Sequence, residues 1–145
     1  MSSIIVDIDG TIADCSHRLK YLEENPKNWD GFFSYMHKDK PIQPIIRLIE
    51  KLQNHNFSLI FCTGRPERYR ALTKEWLCDQ DLDPRYLYMR NDTDFRPNHI
   101  IKSELLNLIY DDGFLPLLVI DDQQSVVEMW RTRGLICLQN ESPHY

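Results

Sequence analysis

The apolar residues fall into short blocks with two different periods. Ile4, Ile5, Val6 and Ile8 sit together with almost no polar alternation, which is how a strand reads when both of its faces are covered in a parallel sheet. Phe57 to Cys62 and Leu115 to Ile120 repeat that pattern, and Tyr86 to Met89 and Leu135 to Leu138 are shorter strands. Between the blocks, apolar positions recur at three- and four-residue intervals. Ile45, Leu48, Ile49 and Leu52 mark one face of a helix over 44–54, and Tyr69, Leu72 and Trp76 mark a second that ends near Cys78. Ile101, Leu105 and Leu108 mark a third. Val126, Val127 and Trp130 mark a fourth, which Gly134 stops.

Residues 13–41 show no strand pattern. Ala13 to Glu24 reads as mixed helix and loop, and Asn25-Pro26 as a breaker. Trp29, Phe32, Phe33 and Met36 then recur as the aromatic face of a short helix. The last residues read as a frayed tail. Strands separated by helices require right-handed crossovers, hence a parallel sheet covered on both sides. One domain over residues 1–145, with an insert at about 13–41, accounts for the whole pattern.

Composition narrows the class without changing the fold. The 145 residues, 42% hydrophobic and 27% charged, are enough for one soluble domain with a real core. No apolar run approaches the ~20 residues of a membrane span. The first residues lack the basic start, apolar stretch and cleavage site of a signal peptide. The expectation is a cytoplasmic protein with no membrane partner. Cys15, Cys62, Cys78 and Cys137 form no Cys-x-x-Cys pair, and Cys62 and Cys137 lie in apolar strands. Packing is therefore expected over disulfide or zinc. A formal charge of −5 argues against a broad nucleic-acid-coating surface but is compatible with a compact phosphate pocket.

The chemistry gathers at strand ends. In open α/β sheets the ligand site lies beyond the carboxyl ends of the strands. There the first strand places Asp7 and Asp9, followed by Gly10-Thr11, the second Thr63-Gly64-Arg65, and the fourth Asp121-Asp122. Asp and Gly also end strands in ordinary turns, but in a parallel sheet all three groups meet at one edge. Four carboxylates there repel one another unless a cation neutralises them. Hard oxygen ligands favour magnesium over calcium or manganese. Thr63 and Arg65 supply a hydroxyl and a forked cation suited to phosphate oxygens. Lys102, on the helix before the fourth strand, adds a second positive charge. The combination points to phosphoryl transfer through an aspartyl-phosphate, with the second carboxylate acting first as acid and then as base on water.

Asp7-Ile8-Asp9-Gly10-Thr11, then Thr63-Gly64-Arg65, Lys102 and Asp121-Asp122 resembles the four-motif signature of the haloacid dehalogenase-like phosphatases. The resemblance implies a Rossmann-like three-layer sandwich with a five-stranded, mainly parallel sheet and a small helical cap insert. With the strands numbered in chain order, the expected sheet order is 5-4-1-2-3. It implies Asp7 as nucleophile and Asp9 as acid/base, with the Asp9 main-chain carbonyl at the magnesium. It implies Thr63 and Lys102 as holders of the transferring phosphate, and Asp121 and Asp122 as completing the Mg2+ site. A closer likeness, over nearly the whole chain, is to the 3′-phosphatase domain of bacteriophage polynucleotide kinase/phosphatases. Val119-Ile120-Asp121-Asp122 followed by Val126-Val127-Glu128-Met129-Trp130-Arg131 carries it most clearly. That likeness makes Arg18 and Arg65 substrate-site arginines. One departure stands out, because Asn98 occupies the place, four before Lys102, where an acidic residue is expected. No Gly-x-x-x-x-Gly-Lys-Ser/Thr loop occurs, so a kinase or ligase would be a separate partner.

The remaining candidates carry bland readings beside functional ones. Gly64 and Arg96 are substrate-site candidates, and Arg96 reads equally well as a solvated loop charge. Arg68, Arg70 and Lys74 form a basic patch that reads as a wet helix face or as a guide for a polyanion. Trp29, Phe32 and Phe33 read as packing for the insert or as a platform for a nucleobase. The histidines have no metal-ligand spacing. The expected function is a magnesium-dependent phosphomonoesterase acting on a 3′-phosphate of a nucleic-acid end or nucleotide. The alternatives are a nucleotide 5′-phosphatase and a non-catalytic relative that binds phosphorylated ligands.

Overall fold

In the computed structural model, which describes residues 1–141, β1 (Ser3–Val6) is the middle strand of a five-stranded parallel sheet. The chain then forms β2 (Ala13–Asp14), a 3-10 stretch, α1 (Trp29–Ser34), β3 (Lys40–Pro41) and α2 (Gln43–Asn54). β4 (Ser58–Pro66), α3 (Arg70–Asp79), β5 (Tyr86–Arg90), α4 (Asn98–Asp111), β6 (Val119–Asp121), α5 (Gln124–Thr132) and β7 (Cys137–Gln139) follow. The sheet order is β5-β4-β1-β6-β7, while β2 and β3 pair antiparallel outside it. The Rossmann-like α/β fold expected from the alternation is the one found. The tail beyond Glu141 lies outside the described residues.

Side-chain alternation divides the sheet between two cores. Ile4, Val6, Leu59 and Phe61 face Ile46, Ile49, Trp76 and Leu77 of α2 and α3. Ile5, Ile60 and Cys62 face Ile101, Leu106, Val127 and Trp130 of α4 and α5. A third, small core of Cys15, Phe32, Phe33 and Met36 sits inside segment 13–41 and packs against Tyr69 and Leu72. That contact holds the segment over the edge of the sheet.

Register positions the chemistry. Val6 pairs with Phe61 on one side and Ile120 on the other. The residues just beyond those pairs, Asp7, Cys62-Thr63 and Asp121, therefore emerge side by side. β4 shifts register between Thr63 and Pro66, and this irregularity turns the Arg65 side chain into the interior. Gly10, with φ of 82°, makes the turn after Asp9 that sends the chain into β2.

Several expectations need correction. Leu48 is 48% exposed and Leu108 52%. The buried faces are centred instead on Ile46 and Ile49 of α2 and on Ile101, Leu105, Leu106 and Ile109 of α4. A run with apolar residues on adjacent faces allows both settings, and the sheet selects one. The fourth strand starts only at Val119, and Leu115 is 85% exposed, because the residues before it run past the amino edge of the sheet. Segment 13–41, expected to lack strands, is closed at its neck by β2 and β3. Two-residue strands are too short to show a period.

Candidate active site

Asp7, at the end of β1, is buried, and its two carboxylate oxygens are engaged separately. Lys102 Nζ donates to Oδ1 at 2.6 Å, and Thr11 Oγ1 lies 2.9 Å from Oδ2. Lys102 also reaches Asp121 Oδ2 at 2.9 Å, and that oxygen accepts from Trp130 Nε1 at 3.0 Å. Lys102 is buried because the first turn of α4 overhangs the carboxyl edge of the sheet. Asp122 Oδ1 lies 3.2 Å from Thr11 Oγ1. Asp122 Oδ2 is buried and has no hydrogen-bond partner among the described residues.

Oxygens of Asp7, Asp121 and Asp122 lie within 4.8 Å of one another. Burial and the neighbouring Asp121 charge push the Asp7 carboxyl well above its usual range, against the pull of Lys102. Burial likewise raises Asp122. Lys102 is held in its charged form by Asp121 and Asp7, which outweigh its burial. Three buried carboxylates, more negative charge than the one lysine beside them offsets, form a donor set that fits a hard divalent cation. The Asp9 carboxylate does not belong to this triad.

Asp9 lies in a second buried cluster, beside the first. Arg65 grips its carboxylate through Nη2 at 2.6 Å and Nε at 3.1 Å, and Arg18 Nη2 adds a contact at 2.8 Å. Burial alone would raise the Asp9 carboxyl, but these two guanidiniums hold it far below its usual range. Both arginines also engage the buried Asp39. Arg18 forms a fork to it through Nε at 2.8 Å and Nη2 at 2.6 Å, and Arg65 Nη2 lies 3.4 Å away. Arg18 Nη1 donates to the Phe32 carbonyl of α1 at 3.0 Å, and Trp76 Nε1 to the Asp39 carbonyl at 2.9 Å. Segment 13–41 is thus tied directly to Asp9.

A cleft of about 420 Å³ opens over these residues, and Asp7, Asp9, Thr63, Gly64, Lys102 and Asp122 line it. Asp121 is buried just beneath. Arg96 lines the same cleft but is engaged with Asp94 at 2.7 Å and Glu104 at 2.6 Å. Arg18 and Arg65, expected at the substrate site, lie one layer further in. They are fully buried behind Asp9 and do not line the cleft, because Asp9 and Asp39 take up their donors.

Asn98, in the place of the expected acid, lines the cleft, accepts from Arg90 and donates to Gln123 Oε1 at 3.0 Å. Arg90 also donates to the Gly64 carbonyl at 2.8 Å. A Cβ at Gly64 would stand 2.2 Å from Asn98 Oδ1, so glycine permits this close approach. Asp39, Arg90 and Gln123 belong to no motif in the sequence. Nothing local marks Asp39, which precedes Lys40-Pro41 in an otherwise plain stretch. Thr11, by contrast, closes the Asp7-Ile8-Asp9-Gly10-Thr11 motif.

Fold and site together define a phosphoric monoester hydrolase of the haloacid dehalogenase type. Over residues 1–145 the chain matches the family described as the polynucleotide kinase PNKP phosphatase domain, and it belongs to that family. It is 25% identical over 131 residues to a protein of Autographa californica nuclear polyhedrosis virus named as a bifunctional polynucleotide kinase/RNA ligase. That match covers 89% of this chain and 18% of the viral protein. A chain of a Pnkp1/Rnl/Hen1 complex superposes with a TM-score of 0.84 at 26% identity, covering 99% of this chain and 47% of that one. The class C acid phosphatase from Bacillus anthracis shares the fold at a TM-score of 0.72 and 12% identity, over 99% of this chain and 68% of its own. The chain spans less than half the length of the first two. Among the described residues, no helix is long and apolar enough to cross a membrane.

Proposed function

We propose that the domain is a magnesium-dependent phosphomonoesterase that works through a phosphoryl group carried on Asp7 and removes 3′-phosphate from nucleic-acid ends. The observation that carries this reading is the meeting of Asp7, Asp9, Thr63, Lys102 and Asp122 in one cleft, although the chain brings them from four distant segments. Carboxylates of Asp7, Asp121 and Asp122, with the Asp9 main-chain carbonyl, would hold Mg2+. When bound, the cation offsets the negative charge of the carboxylates and of the phosphoryl oxygens.

Lys102 and Thr11 hold the Asp7 carboxylate by separate oxygens, which orients it for attack on phosphorus. The bond from phosphorus to the leaving oxygen breaks as the bond to Asp7 forms. Asp9 passes a proton to that oxygen, then takes one from the water that releases phosphate. Arg18 and Arg65 keep Asp9 aligned and ionised in the resting site, which suits the second step. An incoming phosphate dianion adds negative charge and raises the proton affinity of Asp9, which takes up from solvent the proton it passes on in the first. Thr63 and Lys102 hold the transferring group.

The nucleic-acid assignment draws on the family and on relatives named for polynucleotide kinase and RNA ligase. Partner kinase and ligase activities, on the same or another chain, belong to the same proposal. So does the reading of 13–41 as a cap on a single domain. A cytoplasmic setting is part of it too, in keeping with four free cysteines, three of them buried. The test is phosphate release from 3′- and 5′-phosphorylated oligonucleotides and the matching mononucleotides. Strong preference for 3′ ends is expected. Preference for a 5′-mononucleotide would make the protein a nucleotide 5′-phosphatase, and binding without any release would make it a non-catalytic relative.

A further inference from the structure

Part of the cleft wall has no place in the phosphate chemistry. Trp29, the first residue of α1, is 47% exposed, and Phe95, in the loop before α4, is 89% exposed. Both line the cleft that holds Asp7 and Lys102, yet they come from segments far apart in the chain.

Neither ring is loosely presented. Trp29 stacks on Phe33 with centroids 6.0 Å apart and planes 23° apart, and meets Phe32 edge-on at 5.9 Å. The Asn28 side chain caps α1 beneath it, accepting from Gly31 N at 2.9 Å. The Phe95 loop is braced from both sides. Arg90 Nη1 donates to the Asp94 carbonyl at 3.0 Å and to the Arg96 carbonyl at 2.6 Å. Arg96 itself is tied to Asp94 and Glu104. Burying an aromatic ring is worth about 1.5–3 kcal/mol, so a braced loop that keeps one in water within a reactive cleft implies an occupant.

The chemistry of the cleft says which. It combines phosphate-directed carboxylates and lysine, two aromatic rings, and the Lys27 ammonium 5.8 Å from the Trp29 ring centroid. A phosphate, a planar base and a flanking backbone anion are what a phosphorylated nucleotide at a chain end presents. The volume of about 420 Å³ matches one small ligand and not a longer stretch. We propose that Trp29 and Phe95 form an aromatic clamp for the nucleobase of the nucleotide that carries the phosphate, with Lys27 against the adjoining backbone. The clamp rests on the nucleic-acid reading given above. It works by stacking, so it accepts every base without reading its edge.

The experiment compares 3′-phosphorylated oligonucleotides that end in an ordinary nucleotide with ones that end in an abasic nucleotide. Wild type, Phe95→Ala and Trp29→Leu are assayed, with thermal melts as a check on folding. The ratio of kcat/KM for base-bearing over abasic ends is expected to fall about 5- to 100-fold in each variant. The loss should lie in KM, and Phe95→Tyr should restore the ratio. The four bases should differ by only a few-fold in wild type. An unchanged ratio, or equal losses on both substrates, would overturn the clamp. Wild type that ignores 3′ ends but hydrolyses 5′-mononucleotides would overturn the 3′ assignment alone. The variants are then compared on nucleoside 5′-monophosphate and ribose 5-phosphate, and an unchanged ratio there overturns the clamp independently.

Discussion

Two buried charge clusters stand side by side under the cleft, and they are not alike. Around Asp7, three carboxylates stand with a single lysine that reaches two of them, and one Asp122 oxygen has no partner among the described residues. Around Asp9, two arginines face two carboxylates, and every guanidinium is forked onto an acceptor. The first cluster is incomplete in charge and in hydrogen bonds, while in the second each carboxylate meets both arginines and His17 adds a contact to Asp39 at 2.7 Å. Buried ions are tolerated only when paired and hydrogen-bonded. The difference therefore separates a half built to receive a ligand from a half built to hold a side chain still.

Removing Asp7 gives the largest effect on turnover. Asp7→Asn is expected to lower kcat by at least about 10⁴-fold. It relieves the crowding of buried carboxylates, so the metal-free protein should melt no lower than wild type. Residual activity near wild type in a phosphate-release assay would take the nucleophile role away from Asp7.

Breaking the arginine cluster does the reverse, because it strikes the fold hardest. Asp39→Ala leaves Arg18 and Arg65 short of a buried partner, at an expected cost of about 3–5 kcal/mol, read from a denaturant midpoint. Asp9 loses its alignment as well, so kcat falls more than KM changes. A variant with wild-type stability would show that the pairing around Asp39 is dispensable.

The incomplete cluster should respond to cation and proton. Mg2+ at about 100 times its dissociation constant is expected to stabilise the fold by about 2.7 kcal/mol. Asp122→Asn should remove most of that gain, and chelation all of it. In the metal-free protein, Asp7 and Asp122 have folded values raised above the unfolded one. Their contribution to stability is full below the unfolded value, near 4, and is lost as pH rises through the folded values. Asp9, depressed in the fold, contributes stability above the unfolded value and loses it as pH falls through its folded one. The magnesium shift should therefore be larger at about pH 8 than at about pH 5. Equal melting shifts at both would contradict a cation seated on Asp7 and Asp122.

The smallest expected effect is at the join between β4 and α4. Gly64→Ala forces Asn98 away from its present place and disturbs its bonds to Arg90 and Gln123. A cost of about 1–3 kcal/mol follows from the overlap, with a several-fold rise in KM. Pairing it with Asn98→Ala, which makes room, should cost less than the two single changes added together, read from denaturant midpoints.

The α/β alternation was legible in the sequence because helix and strand periods differ and core strands leave continuous apolar runs. The carboxylate triad was legible for a related reason. Parallel strands deliver their carboxyl ends to one edge, so residues just after each strand meet. Arg18 and Arg65 were recognisable as important, but the partner they would choose was not. Nothing along the chain tells that β4 shifts register after Thr63 and turns Arg65 inward. Asp39 was invisible, since its role exists only where the neck of segment 13–41 passes both arginines. Phe95 gave no periodic signal in its polar loop, and its exposure comes from the bracing by Arg90 and Arg96.

Periodicity and order along the chain were thus enough for the sheet, its two helical layers, and the gathering of Asp7, Thr63, Asp121 and Asp122, while Lys102 joined them through the resemblance. These follow from local repeats and from the geometry common to parallel sheets. Folding in three dimensions settled the charge balance of each cluster and the different surroundings of Asp7 and Asp9. Which ion faces which, and how deeply, depends on distances between segments far apart in sequence, and no local pattern encodes a distance.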